Sequence, residues 1–413
     1  MFIAMHQITK YKKNVFLICR QTYHKIPFVL QFLFSPIKLL YWLVKMLKLK
    51  LWIIKGIEVH SKGELIIFYA GTEENKNFIL KLAFNNSYKE KYIGQCWLWN
   101  YTQKIKKSEY NSSLSVCEVP HAFRKLFGKK NCIYVPCWID GDIDISSSIK
   151  TDSIKTDMRR IKKNKLNYEV TNELNQFDYF YHQMYVPYIT KTFGSMAVIS
   201  NYDFLRSNFR KRGLYRKLLL IKKNNEFIAG TLLGFTKNKT RLSHIGVKNG
   251  DRYYVKEGAI GALFYFPIIY SKEKGFERMS FGLARTFLND GVLQFKKKRG
   301  MHITDTTKMY FRIITLSGSI SVKGFFLNNP FIYMNNKKLN GAIFIENNHV
   351  LNYKYFERIY KDYFLKGISK LVIYHFGNLD NNTIEIVPRE FSENIKICSA
   401  DSLFGHSFSH RLV

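Results

Sequence analysis

The chain has 413 residues, which is enough to bury a large core and to form two domains or more. Hydrophobic residues make up 46% of it and aromatic residues 16%, a composition that excludes an intrinsically disordered protein. The 65 Lys and Arg residues outnumber the 31 Asp and Glu residues and give a formal net charge of +34. An AT-rich coding bias, which also favours Asn, Ile, Phe and Tyr, explains part of this excess. The rest indicates an anionic partner, such as phospholipid, a phosphorylated glycan or nucleotide, or RNA.

The N-terminal segment, residues 1–57, is basic and apolar, because ten Lys or Arg residues precede the first acidic residue, Glu58. Four lysines fall within about one third of a helical wheel, with Trp42 and several leucines opposite them. We therefore predict an amphipathic helix in residues 26–55 that lies on an anionic membrane surface. Two alternatives are a helix packed on the protein body and a span over residues 26–44, which Pro27 and Pro36 disfavour. The four lysines are Lys38, Lys45, Lys48 and Lys55.

The cysteines form neither a CxxC pair nor a Cys/His cluster at zinc spacing. We therefore expect free thiols, no metal, and a reducing, cytoplasmic compartment. They are Cys19, Cys96, Cys117, Cys132, Cys137 and Cys398.

Residues 58–150 show a mixed pattern. Apolar runs predict strands at 64–70, 78–84 and 131–136. Asp140 to Ser148 is rich in Asp, Gly and Ser, so it indicates a polar connector that ends this domain.

Residues 151–310 show a regular order of elements. A basic helix and a short strand precede a helix with an aromatic stripe, which we expect to face the core. Three strands over 215–247, separated by turn residues, then predict an antiparallel meander. A helix that opens with Gly and Ala at 258–262 and a strand at 278–282 follow, and residues 311–413 form a C-terminal α/β extension.

Several motifs in this region carry a family resemblance. They are Met158 to Lys163, Ile228 to Leu232 in the meander, Gly258 to Leu263 at the helix start, and Gly282 to Gly300. The last is the most specific, since a glycine and a basic residue precede Asn-Asp-Gly and an aromatic-Lys pair. Together they resemble the GNAT-type acyltransferase domain of the FemAB-like group.

The resemblance implies an α+β fold with a mixed, mostly antiparallel sheet flanked by helices, and two GNAT-like halves. Residues 58–150 would then be a degenerate first half and residues 151–310 the acyltransferase domain. It also implies direct acyl transfer to an amine or hydroxyl without a covalent enzyme intermediate. The usual pyrophosphate signature of acetyl-CoA binding is not met around Lys256 to Ala262, and Arg299 stands where an aromatic residue often precedes the glycine.

Direct transfer requires a base, donors for the oxyanion and an acid, which defines the catalytic candidates. The resemblance places Lys296 at the reaction centre as a fixed cation, although it also belongs to a basic run that solvent can explain. Asp290 is a candidate to bind an amine or to orient Lys296, or it marks an ordinary turn. His244, within a strand, and Glu257, beside the Gly/Ala helix, are candidate bases with equally ordinary structural explanations.

The remaining candidates bind substrate or donor. Arg285 is a candidate clamp for an anionic acceptor, and Arg159 and Arg160 are candidates for phosphate contact or a solvated helix face. The small residues Gly258, Ala259 and Gly261 would let a donor phosphate approach the helix amides.

The leading hypothesis is an acyltransferase that uses acyl-CoA, such as acetyl-CoA, on an anionic glycan or nucleotide-sugar precursor of the cell envelope. It would act peripherally on the inner face of the cytoplasmic membrane. One alternative replaces the donor with aminoacyl-tRNA, which the net charge also suits. Another is a non-catalytic nucleic-acid-binding protein, but the basic residues are dispersed and no nucleic-acid-binding motif is present, so we expect no DNA partner.

Overall fold

The protein is described here by a computed structural model over residues 44, 46–84, 87–106, 110–127, 132–194, 197–211, 216–304, 308–346, 351–377 and 387–404. Most of the predicted N-terminal helix therefore lies outside the described residues. Within them, no helix is both long enough and apolar enough to cross a membrane.

The strands of the described residues are numbered in chain order. They are β1 (Lys48–Ile57), β2 (Glu64–Gly71), β3 (Tyr88–Trp97), β4 (Leu114–Pro120), β5 (Ile133–Pro136), β6 (Asp140–Asp144), β7 (Asn167–Thr171), β8 (Arg216–Lys223), β9 (Glu226–Phe235), β10 (Lys239–Val247), β11 (Arg278–Ser280), β12 (His302–Thr304), β13 (Met309–Thr315), β14 (Phe331–Asn335), β15 (Lys338–Glu346), β16 (Leu371–Phe376) and β17 (Ile395–Ser399).

The α-helices are numbered in the same way. They are α1 (Glu73–Phe84), α2 (Tyr101–Lys106), α3 (Ile145–Ser148), α4 (Asp152–Lys163), α5 (Leu174–Tyr179), α6 (Val186–Phe193), α7 (Tyr202–Lys211), α8 (Arg252–Lys256), α9 (Ala259–Glu273), α10 (Gly291–Lys297), α11 (Ile320–Asn328), α12 (Tyr353–Tyr363), α13 (Arg389–Ser392) and α14 (Asp401–Phe404). A π-helical turn, Phe180–Tyr185, joins α5 to α6, and short 3₁₀ helices cover Leu98–Asn100, His121–Phe127 and Lys248–Gly250.

Two mixed sheets repeat one arrangement. The first has the strand order β3-β1-β2-β4-β13-β5, and the second has the order β12-β6-β11-β10-β9-β8-β7. In each, an antiparallel hairpin is followed by a helix, α1 or α9, and then by the single parallel pair, β2 with β4 or β10 with β11. The predicted α+β class, with mixed and mostly antiparallel sheets flanked by helices, is confirmed.

The two sheets also exchange strands. β6, which precedes α4, pairs with β11 and β12 in the second sheet, whereas β13 pairs with β4 and β5 in the first. The polar connector expected at Asp140 to Ser148 is therefore wrong, because these residues form β6 and α3. The carboxylates of Asp140 and Asp142 tolerate this position because Arg241, Lys239 and Arg278 form ion pairs with them.

Two further predictions from local pattern are wrong. Lys48 to Ile57 forms β1, not the end of an amphipathic helix, because its alternating residues pack on both faces of the first sheet: Leu49, Leu51 and Ile53 on one, Trp52 and Ile54 on the other. The expected strand at 78–84 is the second half of α1, which buries residues at helical spacing.

The C-terminal residues form a third sheet, of order β14-β15-β16-β17, that packs against both of the others. Alternate residues of β15 point in opposite directions. Ile343 and Ile345 belong to the core of the second sheet, whereas Ala342 and Phe344 belong to the core of the first. The three sheets therefore meet around one region, where the most specific sequence motif lies.

Candidate functional site

The segment from Gly282 to Asp290 joins all three sheets. It leaves β11 at Gly282, whose φ of +72° lies in the left-handed region that favours glycine. Ala284 then bridges to Ile139 beside the second sheet, and Phe287 bridges to Phe331 of the third. The Thr286 hydroxyl donates to the carbonyl of Pro136, the last residue of β5 in the first sheet, at 2.6 Å. We call this stretch the junction segment.

Lys296 fixes the start of the junction segment from α10. Its Nζ donates to the carbonyl oxygens of Gly282, at 3.0 Å, and Leu283, at 2.8 Å. The side chain is buried, and this burial lowers the pKa of Lys296 to about 8, against the opposing charges of Asp140 and Asp290. Lys296 therefore positions the backbone that surrounds the site.

Asp290 ends the junction segment and caps α10. Its Oδ1 accepts a hydrogen bond from the backbone N–H of Leu293 at 2.9 Å, as an N-cap residue does. In the part of the chain that the structure describes, Asp290 and Lys296 do not form the direct ion pair that the sequence suggested. Asp290 acts on Lys296 only through its charge.

Arg285, in the middle of the junction segment, is held by α1, which packs on the first sheet. Its guanidinium lies 3.6 Å from the ring centroid of Trp138 and 4.3 Å from that of Phe78. Nη1 donates to Oδ1 of Asn75 at 2.6 Å, and Nη2 lies 3.6 Å from a carboxylate oxygen of Glu74. Burial lowers the pKa of Arg285, while the charge of Glu74 opposes the shift.

Arg285 and Asp290 line the same cavity, of about 440 Å³, between α1 and the junction segment. This volume is that of a small-molecule site. Apolar and aromatic side chains form much of the wall, with carboxylates, amides and two basic groups between them. The lining residues are Glu74, Phe78, Lys81, Leu82, Trp138, Phe193, Val198, Leu283, Ala284, Arg285, Phe287, Asn289, Asp290, Gly291, Val292 and Asn329.

His244 lies at a β-bulge close to this cavity. It is the extra residue between Ser243 and Ile245 in the pairing of β10 with β9, and its φ is +53°. Nε2 lies 3.0 Å from the hydroxyl oxygen of Ser200. Val198, two residues before Ser200, lines the cavity, so a short segment connects the imidazole to the cavity wall.

The bulge coincides with a gap in the second sheet. β11 pairs with β10 only as far as Arg241 opposite Ser280, although β10 continues to Val247. Gly246 lies so close to the π-helical turn that a Cβ there would be 2.5 Å from the backbone nitrogen of Tyr185. Around His244, β11 therefore no longer pairs with the edge of β10, whereas the face of β10 packs closely against the π-helical turn.

The candidates around α9 lie apart from the cavity lining. Glu257 forms an ion pair with Lys223 at 2.5 Å, and this hydrogen bond lowers the pKa of Glu257, which makes it a weaker base. A Cβ on Gly261 would be 2.5 Å from Oδ1 of Asp157 in α4. The small size of Gly261 is thus explained by the contact of α4 with α9.

The donor-binding roles remain predictions. Ala259 is fully buried at the start of α9, and a Cβ on Gly258 would lie 3.1 Å from Cβ of Arg160. Arg159 and Arg160 are exposed on α4, beside this helix start.

The sequence did not identify the residues of α1 and the residue after β5 that contact Arg285. Phe78 was missed because residues 78–84 were taken for a strand. Asn75, before that run, and Trp138, after β5, belong to no motif. Only the apolar run at 78–84 signalled a buried element, and it does not indicate which residues meet Arg285. Among the described residues, no cluster of three or more His, Cys, Asp or Glu side chains could hold a metal ion.

Comparison with known proteins gives distant structural likeness. No protein-family model matches the sequence, and no curated protein matches it. The C-terminal domain of a putative lysylphosphatidylglycerol synthetase from Agrobacterium fabrum is 12% identical, with a TM-score of 0.33, over 66% of this chain and 83% of that one. L-PGS from Bacillus licheniformis is 11% identical, with a TM-score of 0.33, over 67% and 85%. FemX is 11% identical, with a TM-score of 0.35, over 60% and 80%.

Proposed function

We propose that the protein is an acyltransferase that passes an acyl group directly from a donor to an amine or hydroxyl held in the cavity. The observation that supports this is the placement of the Gly282 to Gly300 motif. Its Arg285 and Asp290 line the cavity, and its Lys296 fixes the backbone beside the gap between β10 and β11. The order of meander, helix and parallel strand is the one that the family resemblance implies.

The acyl carbonyl would lie at the edge of β10 beyond Arg241, where β11 no longer pairs with this strand. Direct transfer needs hydrogen-bond donors for the developing oxyanion, and backbone N–H groups along a strand edge are donors of this kind. His244, at the bulge, is our candidate base that removes the proton from the acceptor, and its imidazolium would give this proton to the CoA thiolate as the acyl–sulfur bond breaks. Ser200, 3.0 Å from its Nε2, would relay this proton or orient the ring.

The acceptor would occupy the cavity beside Arg285. Carboxylates of Glu74 and Asp290 suit an amine, and the amides of Asn289 and Asn329 suit hydroxyl groups. Trp138 offers an aromatic wall on which a sugar ring could lie. Together with Arg285 and Lys81, which suit a phosphate or carboxylate, these groups favour an anionic glycan or nucleotide-sugar precursor of the cell envelope as acceptor.

The proposed donor is an acyl-CoA such as acetyl-CoA, with Arg159 and Arg160 as the groups that meet its phosphates. The net charge of +34 supports a second donor class, aminoacyl-tRNA, on the same fold. We propose that transfer takes place at the inner face of the cytoplasmic membrane, where an envelope precursor is made.

The purified full chain can be tested with acetyl-CoA or with aminoacyl-tRNA, each mixed with nucleotide amino sugars. Mass spectrometry of the acceptor reports the transferred group. We expect transfer that depends on the CoA donor, resists RNase and falls strongly in Asp290→Asn, a change that keeps a good helix cap but removes the charge. RNase-sensitive transfer would select the tRNA donor. If no donor supports transfer while a salt-sensitive RNA complex forms, the acyltransferase proposal fails.

A further inference from the structure

Ser200, the hydrogen-bond partner of His244, lies in a stretch without regular secondary structure. Residues 197–201 connect α6 to α7 and form neither a helix nor a strand. The hydroxyl oxygen of Ser200 nevertheless lies 3.0 Å from Nε2 of His244. Because such a stretch lacks the regular backbone hydrogen bonds that fix a helix or a strand, this contact depends on what else holds the backbone of Ser200.

Two tyrosine hydroxyls hold the backbone of Ser200. The hydroxyl of Tyr181 donates to the carbonyl oxygen of Ser200 at 2.7 Å, and the hydroxyl oxygen of Tyr185 accepts from the backbone N–H of Ser200 at 3.1 Å. Both tyrosines are buried, and their ring centroids lie 5.6 Å apart. A packed tyrosine ring has only two side-chain dihedrals, so its hydroxyl has little freedom. The backbone of Ser200 is therefore fixed on both sides of its Cα.

Both tyrosines belong to the π-helical turn, Phe180–Tyr185, which packs on the strand that contains His244. The close approach of Gly246 to the backbone nitrogen of Tyr185, where a Cβ would be 2.5 Å away, fixes the turn against β10. Gly246 follows His244 by two residues. The rings of Tyr185 and His244 also touch, with centroids 5.4 Å apart and planes at 76°.

These contacts form a closed loop. It runs from His244 along β10 to Gly246, across to the backbone of Tyr185, through the tyrosine hydroxyl to Ser200, and back through the serine hydroxyl to Nε2. The imidazole and the serine are thus both fixed relative to one π-helical turn, a kind of element that occurs frequently at functional sites. Neither Tyr181 nor Tyr185 lines the cavity, so their contact with the site runs through Ser200 and His244.

We infer that Tyr181 and Tyr185 are positioning residues that, through Ser200, hold the imidazole of His244 ready to accept a proton at Nε2. The inference rests on the proposed function, in which His244 is the base. It goes beyond that function by naming the two groups that set the form of the base. The contacts themselves require neither donor nor acceptor.

The chemical consequence is a defined tautomer. A neutral imidazole that accepts a proton at Nε2 carries its own hydrogen on Nδ1, and a serine hydroxyl that donates to Nε2 favours this form. During transfer, Oγ of Ser200 would take the acceptor proton as it passes its own proton to Nε2, so the serine is unchanged by the step. Both events require the hydroxyl to stay within hydrogen-bond distance of Nε2.

Nitrogen-15 NMR of the histidine side chains tests the inference on the full chain, because the shifts of Nδ1 and Nε2 distinguish the two neutral tautomers. The chain has 11 histidines, and loss of a signal in His244→Asn identifies that of His244. At a pH where the ring is neutral, we expect the Nδ1–H tautomer in the wild type. The double variant Tyr181→Phe, Tyr185→Phe should move it towards the Nε2–H tautomer, which histidine favours in water, and Ser200→Ala should do the same.

Tyr202→Phe is the matched control. Its hydroxyl donates to Oδ1 of Asp178 at 2.7 Å, and its ring centroid lies 5.0 Å from that of Tyr181. The control therefore loses a tyrosine hydroxyl from the same aromatic cluster without touching Ser200, and it should keep the wild-type tautomer. Equal shifts in the control and the double variant would overturn the inference. So would a tautomer that responds to Ser200→Ala but not to the two tyrosines, or a wild type in the Nε2–H form.

Steady-state rates of the same variants separate positioning from acceptor binding. The double variant should lower kcat about tenfold with little change in the acceptor KM, because phenylalanine keeps the ring packing while the base loses its orientation. Unchanged kcat with an unchanged tautomer would remove the positioning role and leave the enzyme. A tautomer that depends on Tyr181 and Tyr185, in a protein that transfers no acyl group, would leave the positioning contacts and remove the proposed function.

Discussion

Asn75 and Arg285 are 210 residues apart in the chain and are joined by a hydrogen bond of 2.6 Å between Oδ1 and Nη1. The Asn75 side chain also hydrogen-bonds Glu118, a buried carboxyl whose pKa is raised by desolvation and held down in part by its hydrogen bonds. The buried carboxyl of Glu118 in β4 thus orients an amide, and the amide orients the cation that lines the cavity. Elements of the first sheet therefore support the site.

Replacement of Asn75 should therefore act on substrate binding through Arg285. We expect Asn75→Ala to raise the acceptor KM about tenfold with a smaller change in kcat, because Arg285 stays charged but loses its orientation. Arg285→Lys should cost more, about a hundredfold in kcat/KM, because an ammonium group cannot fill the planar space between Trp138 and Phe78. Asn164→Ala, which removes a contact to Glu257 outside the cavity, is the control. A kcat effect alone in Asn75→Ala would contradict the orienting role.

His244→Asn separates chemistry from backbone conformation at the bulge. Asn adopts the left-handed region readily, so the φ of +53° can persist without the imidazole. If His244 is the base, kcat should fall about a hundredfold while the unfolding midpoint changes little. Steady-state rates and thermal unfolding of the same preparations give both readouts. Retained kcat in His244→Asn, together with loss of stability in His244→Val, would show that the residue serves the bulge alone.

The sequence predicted the parts of this fold that local pattern determines. The meander of β8, β9 and β10 was predicted because turn residues and apolar runs lie within a few residues of each other. The run at 78–84 was mistaken for a strand because its seven residues fit the hydrophobic period of a strand as well as that of a helix. Only the acidic residues of the first turn, Glu73 and Glu74, indicate a helix. β6 was mistaken for a connector because its aspartates are compensated by Lys239, Arg241 and Arg278, which are far away in the chain.

Prediction of the cavity residues from local sequence pattern has the same limit. Arg285 and Asp290 were predicted because they belong to a motif, whereas Trp138, Phe78 and Asn75 meet Arg285 only through the packing of separate elements. The exchange of β6 and β13 between the sheets, which brings the junction segment against β5, is likewise a long-range arrangement. Local pattern contains no signal for it.

Lys296→Met should change how stability depends on pH. Burial lowers the folded-state pKa of Lys296 from the ordinary 10.5 to about 8, so between these values the unfolded chain binds more protons than the folded one. The free energy of unfolding then rises with pH in this window, and the contribution of Lys296 is least favourable below pH 8. Urea unfolding at several pH values should show that the free energy of unfolding of the wild type increases relative to that of Lys296→Met across this window. Lys298→Met, at the exposed neighbouring lysine, controls for loss of one charge, and parallel curves for wild type and Lys296→Met would contradict the prediction.

Gly261→Ala tests whether the start of α9 is closed by packing or open to a donor. Alanine favours a helix by about 1 kcal/mol over glycine, so an open site would make the variant more stable. A Cβ there would instead lie 2.5 Å from Oδ1 of Asp157, whose carboxylate forms a buried ion pair with Arg299, just after the end of α10. We expect a loss of about 1–3 kcal/mol in the free energy of unfolding, measured with urea. Gly291→Ala, at the first residue of α10 with nothing within 4 Å of the added Cβ, should leave stability unchanged or raise it. Equal stabilisation of both variants would mean that α4 does not close this helix start, and the predicted donor contact at Gly258, Ala259 and Gly261 would then gain support.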